Sequence, residues 1–165
     1  MILKFVFIFN LILMQNQKIS VGDAVPKFEL KNQHDELVKI ESFFGNPFVI
    51  YFYPKDDTPG CTAEACTFRD QYEEFKEVGA EVIGISADSP KSHKNFALKH
   101  NLPFVLLSDY KNEVRKLFGV PKSMFGLFPG RVTYVINEKG VVSYIFDSQM
   151  QAKKHVAEAI EHLKN

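Results

Sequence analysis

Residues 47–87 read PFVIYFYPKDDTPGCTAEACTFRDQYEEFKEVGAEVIGISA. Pro47 to Tyr53 is a continuous apolar and aromatic run of strand length, the pattern of a central strand buried on both faces. A polar stretch follows, and Cys61 stands where this loop turns into a helix. Ala65, Phe68, Tyr72 and Phe75 recur at spacings of three and four, with Gly79 as a stop signal, so one helix is expected from the cysteine to Gly79. Glu81 to Ala87 reads as a second strand with an apolar centre. Strand, helix and strand in this order predict two parallel strands joined by a right-handed crossover.

The rest of the chain builds outward from that unit. Phe28 to Lys39 is a hairpin around the turn residues Asn32-Gln33-His34-Asp35. Ser89-Pro90 caps and opens a helix running to about His100. Pro103 to Ser108 reads as a strand. Asn112 to Phe118 reads as a short helix with Val114, Leu117 and Phe118 on its inner face, ended by Gly119. Ser123 to Gly130 is expected to be a loop rich in Phe and Gly. Arg131 leads into a hairpin of Val132 to Ile136 and Val141 to Phe146, and Ala152 to Lys164 closes the chain as a helix burying Val156, Ala159, Ile160 and Leu163. The order predicts an α/β chain with a thioredoxin-like fold: a mixed central sheet flanked by helices on both faces, with an N-terminal β-hairpin extension.

At 165 residues the length suits one domain with a core of its own. Hydrophobic residues make up 45% and charged residues 24%, which excludes the disordered, fibrous and membrane-embedded classes. Lys+Arg and Asp+Glu are equal at 20 each, so the basic footprint of a nucleic-acid or anionic-membrane binder is absent. The stretch MILKFVFIFNLILM is the one compositional anomaly. It is shorter than the roughly 20 apolar residues a membrane helix needs, and Gln15 to Ile19 lacks the small-x-small pattern of a cleaved signal. Residues 1–13 are therefore expected to stand outside the fold, with the domain spanning 14–165 and a cytoplasmic location. An exported or membrane-associated location is the alternative if 1–13 is a targeting segment.

The chain has two cysteines, too few for a disulfide scaffold and too close in sequence for a bridge to close a useful loop. At 100° per residue Cys61 lies within about 40° of Ala65, Phe68, Tyr72 and Phe75, on the buried stripe, whereas Cys66 falls about 140° away on the flank. On an intact helix their Cα atoms stand roughly 8.7 Å apart, beyond the reach of a disulfide, so the pair can bridge only if the helix start unwinds. A thiol at a helix N-terminus is favoured as thiolate by unsatisfied N–H groups and the dipole, and burial opposes that. Thr58 is a natural cap whose hydroxyl can also donate to a substrate oxygen, and Pro59-Gly60 allows close backbone approach. Read without that context, both cysteines would be small core hydrophobes.

The string Pro-x-x-x-Thr-x-x-Cys at Pro54, Thr58 and Cys61 resembles the active-site motif of peroxiredoxins. The longer run YFYPKDDTPGCTAEACTFRD, with GISADSP, PKSMFG and Arg131 entering a strand, is similar to their Q-type subfamily, also called bacterioferritin comigratory protein, over residues 20–164. The resemblance implies a thiol peroxidase of thioredoxin fold acting on hydrogen peroxide and organic hydroperoxides, without cofactor or metal. It implies that Cys61 is the peroxidatic cysteine, whose thiolate attacks a peroxide oxygen to give a sulfenic acid. Arg131 would supply the cation favouring that thiolate and, with Thr58, stabilise the charge moving along the O–O bond. Pro54 would shield the thiolate. Cys66 would be the resolving cysteine, forming an intramolecular disulfide that thioredoxin reduces. Glu64 would orient Arg131, or else simply complement the helix dipole as an early acid. A monomer or weak homodimer, with no nucleic-acid partner, completes the expectation.

Three rival classes remain in view. C-x4-C falls within zinc-ligand spacing, but His93/His100 and His155/His162 are spaced too widely, and all four, with His34, read as solvated surface residues. A thioredoxin-type disulfide oxidoreductase would need C-x-x-C with Pro129 beside it as a cis-proline. A binding or chaperone module would use Phe125 and Phe128 as an exposed patch, although core packing is the commoner fate of such residues.

Overall fold

Along residues 18–165, the part described by the computed structural model, the chain first makes the expected hairpin of β1 (Glu29–Asn32) and β2 (Leu37–Lys39). The expectation for residues 1–13, and positions 14–17 at the start of the expected domain, lie outside the described residues. Asn32 locks the turn, its Oδ1 accepting from the His34 and Glu36 amides at 2.8 and 3.1 Å, as short amide side chains do in turns. The central strand β3 (Phe48–Phe52) is wholly buried. Its side chains alternate, Val49 and Tyr51 toward one core and Phe48, Ile50 and Phe52 toward the other, the period of two that a strand enforces.

The expected single helix after β3 is two. Helix α1 (Pro59–Asp70) begins two residues before the cysteine, and α2 (Tyr72–Glu77) follows a break at Gln71, where φ is −105° and ψ 13°. Periodicity did not reveal the break because both pieces bury the same stripe: Phe68 and Phe75 still meet, with ring centroids 5.6 Å apart. Strand β4 (Glu81–Ser86) pairs parallel with β3, completing the expected crossover unit. Helix α3 (Pro90–His100) is capped by Ser89, whose Oγ accepts from the Ser92 amide.

Strand β5 (Val105–Ser108) and the short helix α4 (Glu113–Phe118) follow. In α4 the inner face is Val114, Arg115 and Phe118, while Leu117 is half exposed. The expected inner position of Leu117 is thus taken by an arginine, because two backbone carbonyls at the sheet's end need a donor there. The segment 123–130 is not a plain loop: β6 (Lys122–Ser123) and β7 (Phe128–Pro129) pair as a small antiparallel ribbon. Phe125 and Phe128 at its tip are exposed rather than packed in the core. Strands β8 (Val132–Ile136) and β9 (Val142–Asp147) make the closing hairpin, with a register shift at Val135/Ile136, and α5 (Ala152–Lys164) ends the chain.

The sheet order is β2-β1-β5-β4-β3-β8-β9. β3, β4 and β5 run parallel, and β1, β8 and β9 are antiparallel to their neighbours. Helices α1, α2, α3 and α5 contribute Phe68, Phe75, Phe96, Val156 and Ala159 to the core on one face. On the other, Val114 and Phe118 of α4 join Ile19, Val25 and Ile40. This is the expected mixed sheet with helices on both faces. Among the described residues no helix is long and apolar enough to cross a membrane.

Candidate active site

The parallel strands all end near the start of α1, so the chain leaving β3 delivers the loop 54–58 and then the helix N-terminus to one edge of the sheet. Pro59 is the first helical residue, where its missing N–H costs nothing, and Cys61 is in the first turn. Cys61 is buried and free, and Cys66 is half-buried and free. The helix is unbroken from one to the other, which keeps the two thiols apart.

Arg131 enters from the start of β8, a strand that pairs antiparallel with β3 and so brings residue 131 to the same edge. Its guanidinium is buried, with Nη2 3.5 Å from Cys61 Sγ, Nη1 donating to Glu64 Oε2, and Nε donating to the Gln149 carbonyl at 3.3 Å. Gly60 eases this approach: a Cβ there would lie 3.0 Å from Arg131 Nη2, and the guanidinium would have to draw back slightly. Cys61, Gly60, Glu64 and Arg131 are thus brought together. Thr58 occupies the cap position but makes no cap bond; its Oγ1 donates to the Lys55 carbonyl at 2.9 Å. The expected cap is therefore absent, and in this state the hydroxyl hydrogen is committed to shaping the loop. Pro54 lies half-buried at the head of that loop.

Glu64 is the sixth residue of α1 and wholly buried. The alternative role of an acid beside the helix N-terminus is thereby contradicted, since a first-turn position would be needed. Burial pushes its carboxyl up to about 8 against the pull of Arg131. Burial works to lower the Arg131 pKa, but the Glu64 carboxylate and the Cys61 sulfur outweigh it and raise the value. The arrangement places a charged guanidinium and the N–H groups of a helix start beside one buried sulfur.

Further side chains hold the loop, a role that no local pattern in the sequence signals. Asp56 accepts from Tyr53 OH at 2.7 Å and Ser92 Oγ at 2.8 Å and meets His93 Nδ1 at 2.9 Å, while His93 Nε2 lies 3.2 Å from the Leu107 carbonyl. Arg115 donates to the carbonyls of Tyr53 and Gly130, the residues before Pro54 and Arg131, and lies 5.4 Å from the Phe52 ring centroid. His93 and His155 are fully buried, contrary to the expectation of solvated surface residues. Each lies on the apolar stripe of its helix, His93 with Phe96 and His155 with Ala159, and both ring nitrogens of each find partners. That phase was the available signal. His34 is exposed and His100 and His162 are half-buried.

Among the described residues, the metal-capable grouping is Asp56, Asp88 and His93, and neither cysteine belongs to it. Its atoms already bond one another, Asp88 Oδ2 accepting from the Asp56 amide and Ser86 Oγ. Pro129 lies in β7, and the described residues contain no cis peptide bond.

The model of the AhpC/TSA family matches residues 21–145. The chain is 54% identical over 148 residues to a chloroplastic peroxiredoxin Q of Triticum aestivum, covering 90% of this chain and 68% of that protein. The crystal structure of the peroxidoxin BcpB from Mycobacterium tuberculosis superposes with a TM-score of 0.82 at 35% identity, covering 88% of this chain and 97% of that one. A bacterioferritin comigratory protein of Xanthomonas campestris, described for its alkyl peroxide reduction activity, gives a TM-score of 0.74 at 32% identity, covering 84% of this chain and 98% of that one.

Proposed function

This chain belongs to the AhpC/TSA family and is a thiol-dependent peroxidase of the peroxiredoxin Q type, and we propose that Cys61 is its peroxide-attacking residue and Cys66 its resolving one. The observation carrying the assignment is the buried Cys61 sulfur at a helix N-terminus, 3.5 Å from the Arg131 guanidinium. The thiolate attacks one peroxide oxygen and the O–O bond breaks. Cys61 becomes a sulfenic acid, and the departing oxygen takes a proton to leave as water or alcohol. Arg131 stabilises the negative charge as it passes from sulfur to the leaving oxygen. Gly60 leaves room for the guanidinium, Glu64 holds it, and Pro54 shields the sulfur. Thr58 reaches the peroxide only by giving up its bond to Lys55.

Resolution needs motion. Cys66 attacks the Cys61 sulfur and expels its hydroxyl as water, forming an intramolecular disulfide, and the first turn of α1 unwinds to allow it. Thioredoxin returns both residues to thiols by dithiol–disulfide exchange. The substrates are hydrogen peroxide and organic hydroperoxides, and the protein works as a monomer or weak homodimer. A cytoplasmic location is supported by the missing cleavage pattern after the apolar segment, while the chloroplastic names of the relatives favour a targeting role for that segment.

The test is peroxide-dependent NADPH consumption coupled through thioredoxin and its reductase. Cys61→Ser is expected to abolish turnover, and Cys66→Ser to consume about one equivalent of peroxide and then fail to recycle. Full turnover in Cys61→Ser would overturn the assignment.

A further inference from the structure

His155 lies on α5, far in sequence from both cysteines, yet packs directly behind the arginine. It is wholly buried, and its Nε2 lies 2.7 Å from the Ser148 carbonyl. A carbonyl only accepts, so Nε2 must carry the ring hydrogen, and Nδ1 is left bare to accept from Thr133 Oγ1 at 2.8 Å. Two partners therefore fix one neutral tautomer. The charged groups facing the ring are Glu64 from α1, Arg131 before β8 and Asp147 at the end of β9, with the Phe146 ring edge closing the side. Burial is the largest influence and lowers the ring's pKa from 6.5 to about 4.

The clamp reaches Arg131 through the backbone. Ser148, which His155 grips, is bonded back to the Arg131 carbonyl through its amide at 3.3 Å, and the next residue, Gln149, supplies the carbonyl that accepts from Arg131 Nε.

We propose that His155 is a positioning residue for Arg131: its Nε2–H clamps the Ser148–Gln149 segment whose carbonyl holds the guanidinium. The inference rests on the reading of Arg131 as the cation that activates Cys61, and it extends that site into α5.

His155→Gln keeps a donor near the Nε2 position, and His155→Asn keeps an acceptor near Nδ1 while losing the clamp. The readouts are the ultraviolet thiolate absorbance of Cys61 at neutral pH and the single-turnover rate with hydrogen peroxide, with Arg131→Gln in the same series. His155→Asn is expected to lower both about tenfold, as a fall in thiolate fraction requires, and His155→Gln to restore them to within about threefold. Equal losses in the two variants, or none in His155→Asn, would overturn the proposal. An unchanged Arg131→Gln would instead overturn the underlying reading. In the wild-type protein, nitrogen NMR should find His155 as the Nε2–H tautomer at neutral pH, and the opposite tautomer or an imidazolium there would equally refute it.

Discussion

A carboxyl and an imidazole buried against one guanidinium impose opposite pH dependences on stability. Burial raises the folded-state pKa of Glu64 to about 8, so the folded chain keeps a proton that the unfolded chain releases. Its contribution is full below the unfolded carboxylate range and is lost as the pH climbs toward 8. His155 has a folded pKa of about 4 against an ordinary 6.5, so its contribution is present above 6.5 and is lost as the pH falls toward 4. The two oppose each other until about pH 6.5, and beyond that Glu64 acts alone. From pH 6.5 to 8 the urea-unfolding free energy is expected to fall by about 2 kcal/mol, and Glu64→Gln to flatten that fall. A wild-type profile that rises across this range, or an equal fall in the variant, would contradict the burial argument. At this scale the sequence carried Cys61, Cys66, Gly60 and the loop through a dense local motif. His93, His155 and Arg115 were misjudged or missed because residue type suggested solvent while helical phase placed them inside.

At the scale of elements, the proposed Cys61–Cys66 disulfide makes a demand on α1. Cys61 and Cys66 share one intact helix, and residues five apart cannot be bridged there. Stoichiometric peroxide should therefore cost the wild-type protein about one turn of helix by circular dichroism, with faster amide exchange across residues 59–66. Cys66→Ser should show neither change. An oxidised wild-type protein with α1 amides as protected as before would refute the unwinding. Most elements were legible because strands such as β3 and helices such as α5 have long, regular patterns. The break at Gln71 was not, since both sides keep the same buried stripe, and neither was the β6/β7 ribbon, whose strands are too short to show an alternation. In α4, Arg115 displaced Leu117 because carbonyl satisfaction at the sheet end outweighed side-chain hydrophobicity.

Over the whole molecule, the site is a product of topology. Arg131 and Cys61 are 70 positions apart, and only the antiparallel pairing of β8 with β3 brings them together. No local pattern contains that information; the sequence reading reached Arg131 through family resemblance. Tyr51 stacks on Phe68 at 4.5 Å between β3 and α1, so the aromatic core on this face also sets the height of the helix above the sheet. The core thereby holds the cysteine in register with an arginine delivered by another strand. The most direct test is to expose reduced Cys66→Ser to one equivalent of hydrogen peroxide, trap the sulfenic acid with a carbon nucleophile, and locate the adduct by peptide mass spectrometry. The adduct is predicted on Cys61, and its formation should slow about a hundredfold or more when Arg131 is also replaced by Gln. A protein that consumes peroxide while leaving Cys61 unlabelled, or that forms the adduct equally fast without Arg131, would contradict the account.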